Sequence, residues 1–218
     1  MRTQEKRATR FRSIQTSLIF VIVPVVIISM AVLSLMGYLS SKAIIQTSAG
    51  NEMSQCLSVA MGSIEMSLSN NRMVAETMAR GVEAVQRQAV KGEQTASDWD
   101  AAAYQEILTS FVGSNPETFG GGIWFEPYQY RPEQRYFSPY CMRQNGAVTY
   151  VDNYSLGEGV YYTDQDWYTN AANTTQKSVW SAPYYDEFAQ ISMVTSSAPI
   201  YDETGRLLGV ATADIDLT

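Results

Sequence analysis

Residues 18–39, LIFVIVPVVIISMAVLSLMGYL, run for 22 positions without a charge. A helix of about 20 apolar residues spans the hydrocarbon core of a bilayer, so the run predicts a transmembrane helix. Pro24 would be costly inside a soluble helix but is tolerated within a membrane span. Residues 1–12 hold five basic side chains and one acid, a local sum of +4 in a chain of net charge −7. Basic flanks stay on the cytoplasmic side, which predicts a cytoplasmic tail over 1–17 and an extracytoplasmic remainder. A cleaved signal peptide would have a shorter apolar stretch, about 7–15 residues, ending at a small-x-small site. The Ser-Ser-Lys-Ala after Leu39 fits that poorly.

Everything beyond residue 12 sums to −11. Nucleic acid requires a basic footprint, so it is excluded as a partner. The chain has no histidine, which removes the usual general base and the commonest metal ligand together. Cys56 and Cys141 fall on the extracytoplasmic side, where a disulfide can persist. Nothing local brings them together, and two unpaired thiols are expected.

From residue 40 to 92 the chain is proline-free and rich in Ala, Met, Ser, Glu and Gln. Leu57, Met61, Ile64, Leu68, Asn71, Ala75, Met78, Val82, Val85 and Ala89 are spaced alternately four and three apart. That is a narrow apolar seam with a heptad period. It predicts one long extracytoplasmic helix whose seam pairs with a second copy, making a homodimer, or lies along the domain that follows. Asn71, polar on the seam, either fixes register or marks a solvated break.

Residues 92–97 have linker composition, and Asp98, or Ser97 with Asp100, can cap a short helix reaching about Val112. Strand patterns follow. Residues 119–125 form one strand whose three glycines imply close backbone approach. Residues 135–143 and 147–154 flank Asn145-Gly146, a strong hairpin signal. Residues 191–201 and 206–217 flank Asp-Glu-Thr-Gly, a second hairpin. The expected fold is α/β: an antiparallel sheet of about five strands with the long helix on one face. In the last strand Leu208, Val210, Thr212 and Asp214 share one face by period two, and Ala211, Ala213 and Ile215 the other. The small-residue face would admit the long helix, turning Asp214 to the opposite side.

Residues 161–186, YYTDQDWYTNAANTTQKSVWSAPYYD, hold seven of the eighteen Tyr and Trp residues beside Asp164, Asp166 and Asp186. The run DWYTNAANTTQKSVWSAPYYD, followed by MVTSSAPIYDETGRLLGVATADIDL, resembles the membrane-distal module of a double-Cache sensor domain. These PAS-like modules are the extracytoplasmic parts of bacterial chemoreceptors, sensor histidine kinases and related proteins. The resemblance covers roughly residues 40–218. It implies a module over 93–218, and a chain that continues past residue 218 into a second module, a second membrane helix and an output domain, with a single-Cache receptor as the alternative.

In amino-acid-binding members of that family, an arginine two positions before the tryptophan clamps the ligand carboxylate. Gln165 stands there in this chain. The resemblance assigns flanking roles to Trp167 and Tyr168, an upstream role to Tyr161 or Tyr162, and downstream roles to Tyr184 and Asp186. Asp166 belongs to the same candidate set, and Asp214 matches the carboxylate that receives the ligand's ammonium group. Arginine offers a charged fork that fits a carboxylate, whereas glutamine is neutral. The remaining carboxylates and electron-rich rings suit a cation, so an amine or other cationic metabolite is the expected ligand. An amino acid or organic acid is the alternative. Trp180 and Tyr185 are expected in the core, and Asp216 at the surface.

Other classes fit less well. Paired carboxylates serve glycoside hydrolysis, but the chain has neither histidine nor a Gly-x-Ser-x-Gly element, and no enzyme is expected. Asp164-x-Asp166 lacks the further acids of a calcium loop, and no metal or cofactor is implied. A ligand-free dimerisation module would have its pocket plugged by its own side chains.

Overall fold

The computed structural model describes residues 14–91, 101–151, 154 and 159–218. The chain divides into two units, 1–61 and 62–218. Helix α1, Ile14–Lys91, belongs partly to each. In the first unit every residue from 18 to 39 is exposed, the most apolar window reaches a mean hydropathy of 3.0, and Pro24 lies within the helix. Among the described residues α1 is the one helix long and apolar enough to cross a membrane. Leu57 and Met61 on the seam are exposed there, as is Cys56, a free thiol.

The second unit contains the rest of α1 and helix α2, Ala101–Ser114. Strands β1 (Gly120–Phe125), β2 (Tyr140–Gln144) and β3 (Ala147–Val151) follow. After a 3-10 turn at Tyr162–Asp164 come helix α3 (Asp166–Ala172), β4 (Val179–Trp180), β5 (Tyr184–Asp186), β6 (Ile191–Tyr201) and β7 (Leu207–Asp216). The seven strands form one antiparallel sheet in the order β3-β2-β1-β7-β6-β4, with β5 also paired to β6. Two more strands occur than the sequence implied. Both lie in the aromatic stretch and are two and three residues long, too short to show a period.

Asn145 and Gly146 both have positive φ, 51° and 81°, as the tight turn between β2 and β3 requires. The other hairpin is closed by Asp202, whose Oδ1 accepts the backbone N–H groups of Thr204 and Arg206. Strand β2 begins at Tyr140, later than its residue pattern suggested. Pro139 immediately before it has no N–H for a ladder. Helix α2 ends under Arg143, which donates from Nη2 to Val112 O at 2.5 Å and to Asn115 O at 3.1 Å, and from Nε to Thr118 O. A cation on the last carbonyls both satisfies them and complements the helix dipole. The capping positions 97, 98 and 100 and the linker at 92–97 lie outside the described residues.

One face of the sheet packs on α1 and α2. Val74, Ala75, Met78, Ala79 and Val82 of α1 meet Ile123, Phe125, Ala198, Ile200, Ala211 and Ala213, all buried. The small side chains of β7 admit the helix, as the sequence pattern implied. Asn71 is fully buried on this seam: its Oδ1 accepts from Thr118 Oγ1 at 2.8 Å, and its Nδ2 donates to Ser67 O. It is a keyed contact, since a buried amide needs such partners. Ile64, about two turns earlier in the same unit, is 60% exposed.

Leu208 departs from the period-two expectation and joins the helix-side core. The register explains why: Tyr201 pairs with Leu207, but Ile200 pairs with Gly209. This bulge inserts one residue into β7, flipping Leu208 to the other face. Cys141 is buried and free, within 3.5 Å of Thr109 Oγ1.

Candidate functional site

The opposite face of the sheet carries the aromatic cluster. Its floor is the Gly120-Gly121-Gly122 run of β1. A Cβ on Gly120 would strike the Tyr140 hydroxyl, and one on Gly122 would lie 2.7 Å from indole atoms of Trp124. The absence of both side chains lets Tyr140 reach diagonally from β2 to β7, and lets Trp124 fold back along its own strand. There the indole Nε1 donates to Thr212 Oγ1 at 2.8 Å.

Asp214 lies opposite Gly120 on β1 and Thr195 on β6. It is 3% exposed, and both oxygens accept hydroxyl donors: Oδ2 from Tyr140 and Oδ1 from Thr195 Oγ1, each at 2.7 Å. Because Thr195 spends its proton on Asp214, Tyr184 donates in turn to Thr195 Oγ1, at 2.8 Å. Burial pushes the Asp214 carboxyl up to about 7, the hydrogen bonds from Tyr140 and Thr195 hold it down, and the nearby Asp186 charge pushes it up further. Burial likewise raises the Tyr140, Tyr154 and Tyr184 phenols well above their ordinary value. They are therefore proton donors at any physiological pH.

Asp186, 6% exposed, ends β5. Its Oδ1 accepts from the Tyr154 hydroxyl at 2.5 Å and from the Ala189 N–H at 2.7 Å. Trp167 of α3 covers the cluster, its ring centroid 4.7 Å from that of Trp124, and Phe188 caps Tyr154 at 4.4 Å. Between these groups lies a cavity whose remaining walls are Met193 and Thr212. The void is about 10 Å³, room for about one water molecule. Its lining holds two carboxylates, four rings of Tyr or Trp beside Trp167, and neither lysine nor arginine.

Of the residues singled out from sequence, the fold brings Trp167, Tyr184, Asp186 and Asp214 together around this cavity. The other five stand away from its lining. Tyr162 is buried but donates its hydroxyl to Phe125 O at 2.6 Å. Tyr168 donates to Glu126 Oε1 at 2.7 Å. Tyr161 is 41% exposed, stacked on Tyr136 under Arg135. Asp166 is exposed in the first turn of α3, and Gln165 precedes that helix with its amide 3.4 Å from Tyr161 O. Tyr185, expected in the core, is 60% exposed, while its neighbour Tyr184 is half-buried against the aromatic cluster.

Six lining residues escaped the sequence reading: Trp124, Tyr140, Tyr154, Met193, Thr195 and Thr212. Thr212 shares a face with Asp214 and the glycines announce crowding, but the crowding partners, Tyr140 and Trp124, arrive from strand pairing. Counting back from the hairpin turn would set Asp214 opposite Val194. The bulge shifts the register by one and puts Thr195 there instead.

Residues 104–218 match the family model described as methyl-accepting chemotaxis protein-like, first PDC sensor domain. No curated protein matches the chain. Among solved structures, the extracellular domain of histidine kinase soHK1S-Z6 is similar at 25% identity and a TM-score of 0.50, covering 69% of this chain and 56% of that one. The corresponding domain of mmHK1S-Z3 shares 23% identity, with a TM-score of 0.55 and coverages of 71% and 54%. The ligand-binding domain of Campylobacter jejuni chemoreceptor Tlp3, solved with 4-methylisoleucine, shares 17% identity, with a TM-score of 0.53 and coverages of 73% and 55%. The last two likenesses are of fold. The chain spans a little over half the length of these structures.

Proposed function

We propose that this chain, which belongs to the methyl-accepting chemotaxis protein-like family of first PDC sensor domains, senses a small cationic ligand, an amine or a molecule with an exposed ammonium group. The observation that carries the reading is the charge of the cavity: Asp214 and Asp186 are its ionisable acids, and none of its lining residues is basic. A ligand carboxylate would meet no charged partner there, whereas an ammonium group would meet a carboxylate and aromatic faces. Each such face adds roughly 0.5–2 kcal/mol to a cation. Tlp3 was solved with branched amino acids, so an amino acid is the alternative ligand class.

The proposed layout is a cytoplasmic tail over 1–17, a membrane helix over 18–39, a long extracytoplasmic helix over 40–92 and a sensor module over 93–218. Ligand entry requires the β5–β6 turn and α3 to move outward, since the void holds about one water. Their rearrangement would shift the sheet against the buried part of α1. The exposed seam positions Leu57, Met61 and Ile64 support a homodimer through the same helix.

The narrow void also favours a second reading, a ligand-free dimerisation module whose side chains fill the pocket. A thermal-shift screen of amines, amino acids and organic acids separates the two. A ligand at 100 times its dissociation constant adds about 2.7 kcal/mol of stability. Amines should stabilise the wild type and not Asp214→Asn. Stabilisation by organic acids alone would sink the cationic reading, and no stabilisation by any class would favour the dimerisation module.

A further inference from the structure

We propose that the cavity around Asp214 and Asp186 is also a proton site, so that a proton and a cationic ligand compete for it and the domain responds to pH. This rests on the reading of the cavity as the sensory site, and concerns a second ligand for it.

The geometry makes the case. Asp214 and Asp186 are 3% and 6% exposed and line one void of about 10 Å³. Two carboxylates with so little water and no base beside them are costly to ionise together. The groups facing Asp214 are Tyr140 from β2, Tyr154 after β3, and Tyr184 and Asp186 from β5. Strand β1 presents Trp124, β6 presents Thr195 and Met193, and α3 presents Trp167, none of them charged. Hydroxyls stabilise the carboxylate but cannot neutralise it. The carboxyl of Asp214 is raised to about 7, by burial first, so its exchange falls near neutral pH.

The hydrogen-bond chain supplies a consequence. With Asp214 ionised, protons point along Tyr184 → Thr195 → Asp214. A proton on Oδ1 makes Asp214 a donor, and because hydroxyls both donate and accept, the chain reverses to Asp214 → Thr195 → Tyr184. Tyr184 then directs its own hydroxyl proton elsewhere. Tyr184 is in β5 and Thr195 in β6, so the reversal alters the bond tying the two strands beside the cavity. The proton and an ammonium group each neutralise Asp214, and they exclude one another. Below the midpoint, the apparent affinity for a monovalent ammonium ligand falls about tenfold per pH unit.

The test uses the detergent-solubilised full chain. Infrared difference spectra between pH 5 and pH 9 should show a protonated carboxyl lost with a midpoint near 7, absent in Asp214→Asn and shifted down in Asp186→Asn. A wild-type spectrum with no carboxyl titrating above the ordinary carboxylate range would overturn the proposal, and needs no variant to fold. Calorimetry with methylammonium at pH 7, in two buffers of different ionisation enthalpy, should show about half a proton released per ligand bound. Binding without proton release overturns the proton site while leaving the cationic reading intact. Absence of methylammonium binding with the titration preserved supports the proton site and counts against the amine.

Discussion

Asp214 is a carboxylate that folding places where charge is unwelcome. Its carboxyl is raised from the ordinary 3.8 to about 7, so the folded state holds a proton that the unfolded chain releases. Its contribution to stability is therefore fully present below about pH 4 and lost as pH rises through 7. The shift corresponds to about 4 kcal/mol. The unfolding midpoint of the wild type should fall across that window, while Asp214→Asn removes this component; identical pH profiles would refute the assignment. Gly122 acts at the same scale. A Cβ there lies 2.7 Å from Trp124, so Gly122→Ala should displace the indole and break its bond to Thr212. The expected loss is about 1–3 kcal/mol in chemical denaturation, with weaker ligand-induced stabilisation.

Helix α1 carries one heptad pattern with two environments. Ala75, Met78 and Val82 are fully buried against the sheet, while Leu57, Met61 and Ile64 are exposed. Met78→Ala should cost about 2–5 kcal/mol through the cavity it leaves. Met66→Ala, at an exposed position off the seam, should change stability by less than about 0.5 kcal/mol. Denaturant midpoints of the two variants check the contrast. Asn71 divides the buried and exposed halves and bonds Thr118. Its replacement by Ala leaves that hydroxyl buried without its acceptor, a loss of about 1–3 kcal/mol.

At the scale of the whole molecule, one helix, Ile14–Lys91, carries both the apolar run and part of the core of the sensor module. If the exposed seam joins two copies, Ile64→Cys in a Cys56→Ser background should form a disulfide-linked dimer under mild oxidation in membranes. Met66→Cys, off the seam, should not. Equal cross-linking at both positions, or none at either, would count against a homodimer through this helix.

The sequence by itself determined the apolar span, the long helix, both hairpins and the face on which Asp214 lies. Each follows from a local period or a turn residue: 22 uncharged positions, heptad spacing, Asn145-Gly146, and alternation along β7. It also carried the family resemblance through the order of its motifs. The cavity was decided elsewhere. Tyr140 reaches Asp214 because Gly120 intervenes without a side chain, and Thr195 faces Asp214 because a bulge at Leu207–Leu208 shifts the ladder by one. Gln165 and Tyr168 sit near the site in sequence, yet the short helix α3 turns Tyr168 toward Glu126. Local patterns fix which way a side chain points from its own strand or helix; which groups meet across strands depends on register, and register is a property of the assembled sheet.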